Sequence, residues 1–424
     1  MTATAMEKTA DDARRVRAVA AASIGNALEW FDFIIYGFFA ITMAKLFFPT
    51  GNETVSLLLA LATFGVPFFI RPLGAIVIGN YADRHGRKAA FSMTIVLMML
   101  GTAIIAAAPT YATAGVFAPM LIVLARLVQG FSAGGEFGSS TAFLAEQNPD
   151  RRGFYASWQF ASQGFTTVLA TIIGVGLTTS LTASQLESWG WRIPFLIGLL
   201  IGPVAWYIRR NVDETVEFKR MQVSKSPVKE TFSEGRKRLL VSLGVVALCT
   251  VSMYTIVLFM PTYATRQFGL TTSVGFLGAM LVGAIQVVLI PVFGALSDRD
   301  GRLTLMLASA AAMVVLFYPM FAWLAASPTL QTLLVIQAIF GVLTAAYMGP
   351  LGALMSELFP PQTRTTGLAV SYAFGVAIFG GLAPFTSTWL ILISGNKLAP
   401  AFYLMMAGVV SLIALVFARR LGCR

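Results

Sequence analysis

Five ionisable side chains sit inside long apolar stretches of this chain: Glu29, Asp32, Arg71, Arg126 and Glu136. A charge at membrane depth is costly, so it is retained where it does chemistry or meets a partner. Three of the five are acids and two are bases, which leaves the set one positive charge short when all are ionised. Protonating one carboxylate is the cheapest remedy, because a low-dielectric site disfavours the ionised form. Glu29, Asp32 and Glu136 are therefore the candidate proton carriers. Arg126 is the candidate anion site, since a guanidinium can hold a planar carboxylate through two parallel hydrogen bonds. In this scheme Arg126 is partly neutralised by Glu29, Asp32 or Glu136, and protonation of that acid frees it for an anionic solute. The competing reading is structural ion pairing, and Arg71, directly before Pro72, is read that way.

Periodicity refines the set. Asn26, Glu29, Phe33 and Tyr36 fall at helical spacing on one face, with Asp32 beside it. Glu29 is 12 residues beyond Arg17, roughly 18 Å at a rise of about 1.5 Å per residue, which is near mid-membrane. Gln129 and Glu136 are seven apart on one face, less than a turn from Arg126 at the nearer end. Glycines at 130, 134, 135 and 138 permit close helix approach. Asn26, Tyr36, Arg126 and Gln129 are the expected solute contacts of this half. The second half has no mid-membrane charge, so its expected contacts are neutral: Tyr254, Gln286, Tyr347 and Tyr372, with Ser371 beside the last. Charge and proton handling then fall to one half, and shape and hydrogen bonding to the other.

These residues need elements that cross a bilayer. Of 424 residues, 57% are hydrophobic and 12% charged, too little polar material to cover two or three soluble domains. A crossing helix takes about 20 apolar residues. Breaks at charged or Pro/Gly-rich clusters give twelve spans, near 18–46, 54–80, 89–109, 114–146, 154–182, 191–209, 239–267, 273–297, 303–326, 330–358, 366–394 and 399–419. With the N-terminus inside, 24 of the 30 basic residues fall in inside segments and four in outside ones. That bias places both termini in the cytoplasm. The expected fold is all-α, with twelve transmembrane helices in two pseudo-symmetric six-helix bundles. The expected location is the bacterial inner membrane, multi-pass, with the first apolar run uncleaved.

The chain also repeats itself. Gly79-Asn-Tyr-Ala-Asp83-Arg84-His85-Gly86-Arg87 has the same spacing as Gly294-Ala-Leu-Ser-Asp298-Arg299-Asp-Gly301-Arg302. Glu146 to Arg152 and Glu357 to Arg364 make a second pair at nearly the same offset. The domains are thus 1–210 and 239–424, joined by a charged cytoplasmic linker at 211–238. Two like halves with a site between them are the architecture of an alternating-access carrier. Asp83, Arg84, Gly86 and Arg87, with Asp298, Arg299 and Arg302, are read as a cytoplasmic gate latch: glycine permits the turn and the acid suits a helix N-terminus.

Gly79–Lys88 resembles the loop signature of the major facilitator superfamily, and Arg126-Leu-Val-Gln129-Gly130 resembles its fourth-helix motif. Within it, the chain is similar to the metabolite:proton symporter family. The runs that carry this are Gly25–Phe33, Arg71-Pro-Leu-Gly, Gln129–Glu136, Trp189–Phe195, Arg209–Thr215 and Ala377–Pro384, so the likeness extends from about 18 to 420. The resemblance implies solute–proton symport by carriers similar to those for citrate/tricarballylate, 2-oxoglutarate, shikimate and proline/betaine. The stretch 391–405 leans toward the citrate-like branch, so a di- or tricarboxylate is the expected solute. The osmolyte alternative is disfavoured by a chain that stops at Arg424 without a long charged tail, and a drug/proton exporter by Arg126.

Other classes are set aside. Two cysteines, Cys249 and Cys423, and one histidine, His85, build no disulfide framework, no metal site and no nucleophile–base pair. Gly-rich stretches lack the context of a phosphate loop, so energy is expected from an ion gradient. No enzyme activity, cofactor or nucleic-acid partner is expected. The partners are a small organic acid, protons and the lipid bilayer, with the protein a monomer.

Overall fold

A computed structural model describes residues 3–85, 87–210, 227–233, 235–361 and 363–423, with the side chains of 25, 28, 79–80, 82–92, 200–201, 204–210 and 227–228 and most of those before 22 outside the described set. The described residues are helical, with no strand among them. We number the crossing helices α1 Ala3–Phe38 (continued by Ala40–Phe47), α2 Glu53–His85, α3 Arg87–Ala107, α4 Phe117–Ala145, α5 Pro149–Ser180 and α6 Ile193–Arg210. The second set is α7 Arg236–Phe268, α8 Thr272–Asp300, α9 Arg302–Ala326, α10 Leu330–Leu358, α11 Arg364–Ser394 and α12 Ala399–Arg420. Among the described residues nine helices are by themselves long and apolar enough to cross a membrane. The bent α1 pair makes a tenth, and α3 and α6 occupy the remaining two places in the twelve-helix arrangement. α7 begins at Arg236, a turn earlier than the apolar pattern suggests.

Three departures from straight helices shape the centre. α1 turns by 66° between Phe38 and Ala40, next to Gly37, whose missing side chain admits Leu258 of α7. α7 widens into a π-helix at Met253–Phe259, just before Pro261, which cannot supply the next helical N–H. α11 does the same at Val376–Gly380, before Pro384. The two wide turns meet: a Cβ on Gly380 would lie 2.6 Å from Thr250 and 2.8 Å from the Tyr254 ring.

Small residues set the helix spacing. Gly130 and Gly134 of α4 lie directly on the α2 backbone at Pro67, Arg71 and Ala75, and Gly74 of α2 lies on Phe131. That contact puts Arg71 and Arg126 on neighbouring helices at similar depth. Between the halves, α5 against α8 is the most extensive helix pair. Gly164 and Gly283 face each other there, an added Cβ on either meeting the other's carbonyl at 2.9 Å. Such close approach is how helices associate where no water drives them together.

Candidate solute and proton site

Arg126 is fully buried in a cage of rings, its guanidinium carbon 4.5 Å from the Tyr36 centroid, 4.8 Å from Phe33 and 5.5 Å from Phe64. Ring faces attract a cation, most strongly when it is desolvated. Its Nη1 donates to Gln129 Oε1 at 2.8 Å. Gln129 Nε2 in turn donates to Thr102 Oγ1 at 3.1 Å and Asp32 Oδ2 at 3.3 Å, and the Thr102 hydroxyl donates to the same Asp32 oxygen. Gly198 of α6 leaves room for the carboxylate, since a Cβ there would stand 2.7 Å from Asp32 Oδ1. One amide therefore joins a buried acid to a buried cation. Arg126 Nε and Nη2 and Asp32 Oδ1 have no hydrogen-bond partner among the described residues. Buried polar atoms without partners are uncommon and call for an explanation; here they form an open guanidinium edge and an open carboxylate oxygen.

Of the three acids read as possible counter-charges to Arg126, Asp32 is the one tied to it through Gln129, whereas Glu29 forms an ion pair with Arg71 Nη2. Both partners are buried. The Arg71 guanidinium carbon is 5.4 Å from both the Phe33 and the Phe68 centroids, and its Nε and Nη1 lack partners. Tyr254 of the second half shares the Phe68 ring with it. Tyr254 packs against Phe68 at 5.2 Å and Trp30 at 5.8 Å, its hydroxyl unpartnered. Tyr372 stacks on Phe137 across the two halves. Trp30, Phe33, Phe64 and Tyr254 border a gap too narrow for water.

The structure thus brings together Glu29, Asp32, Tyr36, Arg126, Gln129, Tyr254 and Tyr372. It places three expected contacts elsewhere. Asn26 turns to α5, donating to Gln159 O and Ser162 Oγ at 2.7 Å each and accepting from Gln159 Nε2 at 2.9 Å. Gln286 donates to Thr344 Oγ1 at 3.2 Å, and Tyr347 donates to Val245 O at 2.8 Å, both within the second half. Glu136 is buried in the first turn of the helix Glu136–Ala145, where its carbonyl accepts from Ser139 and Ser140. Residues passed over in the sequence reading are Thr102, Trp30, Phe68 and Arg71 as a member of the site. Thr102 and the rings look like ordinary span residues, and only Arg71 carried a signal, its charge.

The faces of the molecule are closed by polar contacts between the halves. On the side of the basic loops, Asp298 at the end of α8 accepts from Gly153 N at 2.8 Å and Phe154 N at 3.0 Å, capping the helical start of α5. Arg302 holds that acid at 3.0 Å and Glu357 at 2.7 Å, while Arg299 is exposed. Arg364 of α11 meets Glu146 of α4 at 3.5 Å. Gly86 and the side chains of Asp83, Arg84 and Arg87, the first copy of this motif, lie outside the described residues. On the opposite side Arg266 pairs with Glu53. Replacing Asp298 by Ala removes two hydrogen bonds to charge, each worth about 1.5–3 kcal/mol. We expect a Ser157→Cys reporter, buried against Gly294 in a background without Cys249 and Cys423, to react with maleimide from the cytoplasmic side about 10-fold faster in D298A. An unchanged rate would remove the latch role.

A chain of membrane-crossing helices with charges buried at their centre is the pattern of a membrane carrier, and the comparisons agree. The family model of the Major Facilitator Superfamily matches residues 22–288, and that of the sugar (and other) transporters matches 207–420. The chain belongs to the Major Facilitator Superfamily; it is a multi-pass membrane transporter and not an enzyme. It is 37% identical over 393 residues to the citrate-proton symporter of Salmonella typhi, covering 92% of this chain and 91% of that one. It is 35% identical to the proline/betaine transporter of Escherichia coli K12 (95% and 83% covered) and 35% to its alpha-ketoglutarate permease (100% and 98% covered). Among solved structures, the xylose transporter of E. coli in a partially occluded inward-open conformation superposes with a TM-score of 0.75 at 17% identity, over 96% of this chain and 98% of that one.

Proposed function

We propose that this chain imports a small organic acid, a di- or tricarboxylate such as citrate, together with protons across the bacterial inner membrane, working as a monomer by alternating access. The observation that carries the reading is the caged Arg126, whose Nε and Nη2 edge lacks a partner while Gln129 ties it to Asp32. That edge fits one carboxylate bidentately. Asp32 is the proton carrier: when it is ionised, its charge compensates Arg126 through Gln129, and when it is protonated the arginine favours an anion. Proton and solute then bind cooperatively, because each removes a charge that the other would leave uncompensated. The likeness to a citrate-proton symporter and an alpha-ketoglutarate permease supports the same solute class. Asp298, Arg302, Glu146 and Arg364 act as the cytoplasmic gate in this scheme.

A zwitterionic osmolyte is the second reading. It is favoured by the likeness to a proline/betaine transporter; the rings of Trp30, Phe33, Phe64 and Tyr254, whose gap is closed in this structure, would suit a quaternary ammonium only after the halves part. Uptake of labelled citrate into proteoliposomes decides between them, with an inward proton gradient and with it collapsed. Gradient-dependent accumulation that unlabelled tricarballylate, 2-oxoglutarate or succinate blocks supports the acid. Absence of citrate uptake, with betaine accumulated instead, refutes it.

A further inference from the structure

We propose that Arg71 is a second anion locus in the same site, so that the solute must present two carboxylates, one to each arginine, and that Glu29 is the proton-operated guard of the second. The proposal rests on the organic-acid reading above and specifies what that acid must look like.

The two arginines share one wall. The Phe33 ring is 4.8 Å from the Arg126 guanidinium carbon and 5.4 Å from that of Arg71, so the two cations lie within about 10 Å of each other. Each guanidinium carbon stands about 4 Å from the carbon of a carboxylate it holds by hydrogen bonds of ordinary length. The space between two such groups therefore suits carboxylates a few carbon atoms apart.

Their hydrogen bonding is incomplete in complementary ways. Two nitrogens of each guanidinium have no partner, Nε and Nη1 on Arg71 and Nε and Nη2 on Arg126. A structural ion pair would satisfy a buried guanidinium, because leaving its donors unmet costs about 1–3 kcal/mol or more. On Arg126 the side edge formed by Nε and Nη2 is open as it stands. On Arg71 the corresponding edge is half occupied, because Glu29 holds Nη2. The first carboxylate can therefore dock on Arg126 without displacing an acid. The second must replace Glu29, which lets go when it takes up a proton. The Tyr254 hydroxyl, on the second half and without a partner among the described residues, belongs to a ring packed on Phe68, which Arg71 also faces, and is a further donor for the second carboxylate. It makes the second anchoring step the one that engages both halves. A solute with a single carboxylate satisfies Arg126 and leaves Arg71 on Glu29.

The test uses pairs that differ in one charge, succinate against succinamate and tricarballylate against its monoamide: by competition against labelled citrate uptake in the wild type, and by calorimetric titration of the purified protein in Arg71→Gln, where citrate uptake is itself expected to fail. In the wild type the full acid should compete about 50-fold better than its monoamide. In Arg71→Gln the acid should lose most of that advantage while succinamate changes less than about threefold. Equal losses for both members of a pair would mean that Arg71 is merely structural, and no preference in the wild type would overturn the two-carboxylate requirement. Glu29→Gln covers the case in which Arg71→Gln does not fold. It should keep the preference for the diacid and flatten the pH dependence of diacid competition relative to wild type. Loss of the preference, or an unaltered pH dependence, refutes the guard role. If the wild type carries betaine and no carboxylate at all, the organic-acid reading fails first, a result distinct from all of these.

Discussion

Asp32→Asn is expected to abolish solute accumulation driven by a proton gradient, by at least about 100-fold, while leaving exchange of solute across the membrane within a few-fold of wild type. The amide keeps the volume and still accepts from Thr102 and Gln129, so the network of Asp32, Thr102, Gln129 and Arg126 stays connected. It loses only the ability to alternate between a charged and a neutral form. The carrier then behaves permanently as if protonated at this position: it binds and releases solute, and the gradient has nothing to act on. Counterflow and gradient-driven uptake measured on the same proteoliposomes separate the two activities. Undiminished accumulation in the variant would remove Asp32 from proton coupling.

Arg126→Lys should reduce uptake about 100-fold or more, although the charge is retained. An ammonium keeps the attraction to the rings of Phe33, Tyr36 and Phe64 but has no planar edge with two parallel donors. Hydrogen bonds to a charged partner are worth about 1.5–3 kcal/mol each, and a factor of 100 corresponds to about 2.7 kcal/mol. The loss should appear in the half-saturation constant, and the variant's thermal stability should stay near wild type because the cation remains in its cage. A lysine variant that transports at the wild-type rate and affinity would mean that the guanidinium is not the solute's anchor.

The ionisable residues stand out because a charge is conspicuous in an apolar sequence, and Glu29, Asp32 and Arg126 are candidates on that ground, with helical periodicity and the family resemblance beside it. Their partners were not legible. Which acid faces which base depends on how closely α1, α2 and α4 approach, and that is set by Gly74, Gly130 and Gly134 against neighbouring backbone. The glycines were visible in the sequence; the helix they admit was not. Hence Glu29, Asp32 and Glu136 all stood as possible partners of Arg126; Glu29 pairs with Arg71, and Asp32 reaches Arg126 through Gln129. The repeat was legible as spacing, and the structure gives its second copy a physical meaning in the two N–H groups that Asp298 caps. Asn26 shows the limit of periodicity. It lies on the face of Glu29, yet its amide is fully engaged with Gln159 and Ser162 on α5, whose polar residues are scattered through an apolar run.

The polar closures on the two faces are unequal. The outer one rests on Glu53, whose side chain is 78% exposed, and solvent screens such a pair so that it holds little. The inner one is partly buried and joins Asp298, Arg302 and the start of α5. Thermal opening therefore favours the outer mouth. A carrier poised that way meets external solute without first spending time in an unproductive conformer, whereas solute inside must wait for a rarer one, and apparent affinity falls by the fraction of molecules ready to bind. We therefore expect a lower half-saturation concentration on the outer face than on the inner, measured in right-side-out and inside-out vesicles without a gradient, with the maximal rates differing in the same ratio. Equal values would show that the aromatic packing of the outer half offsets the difference in polar contacts.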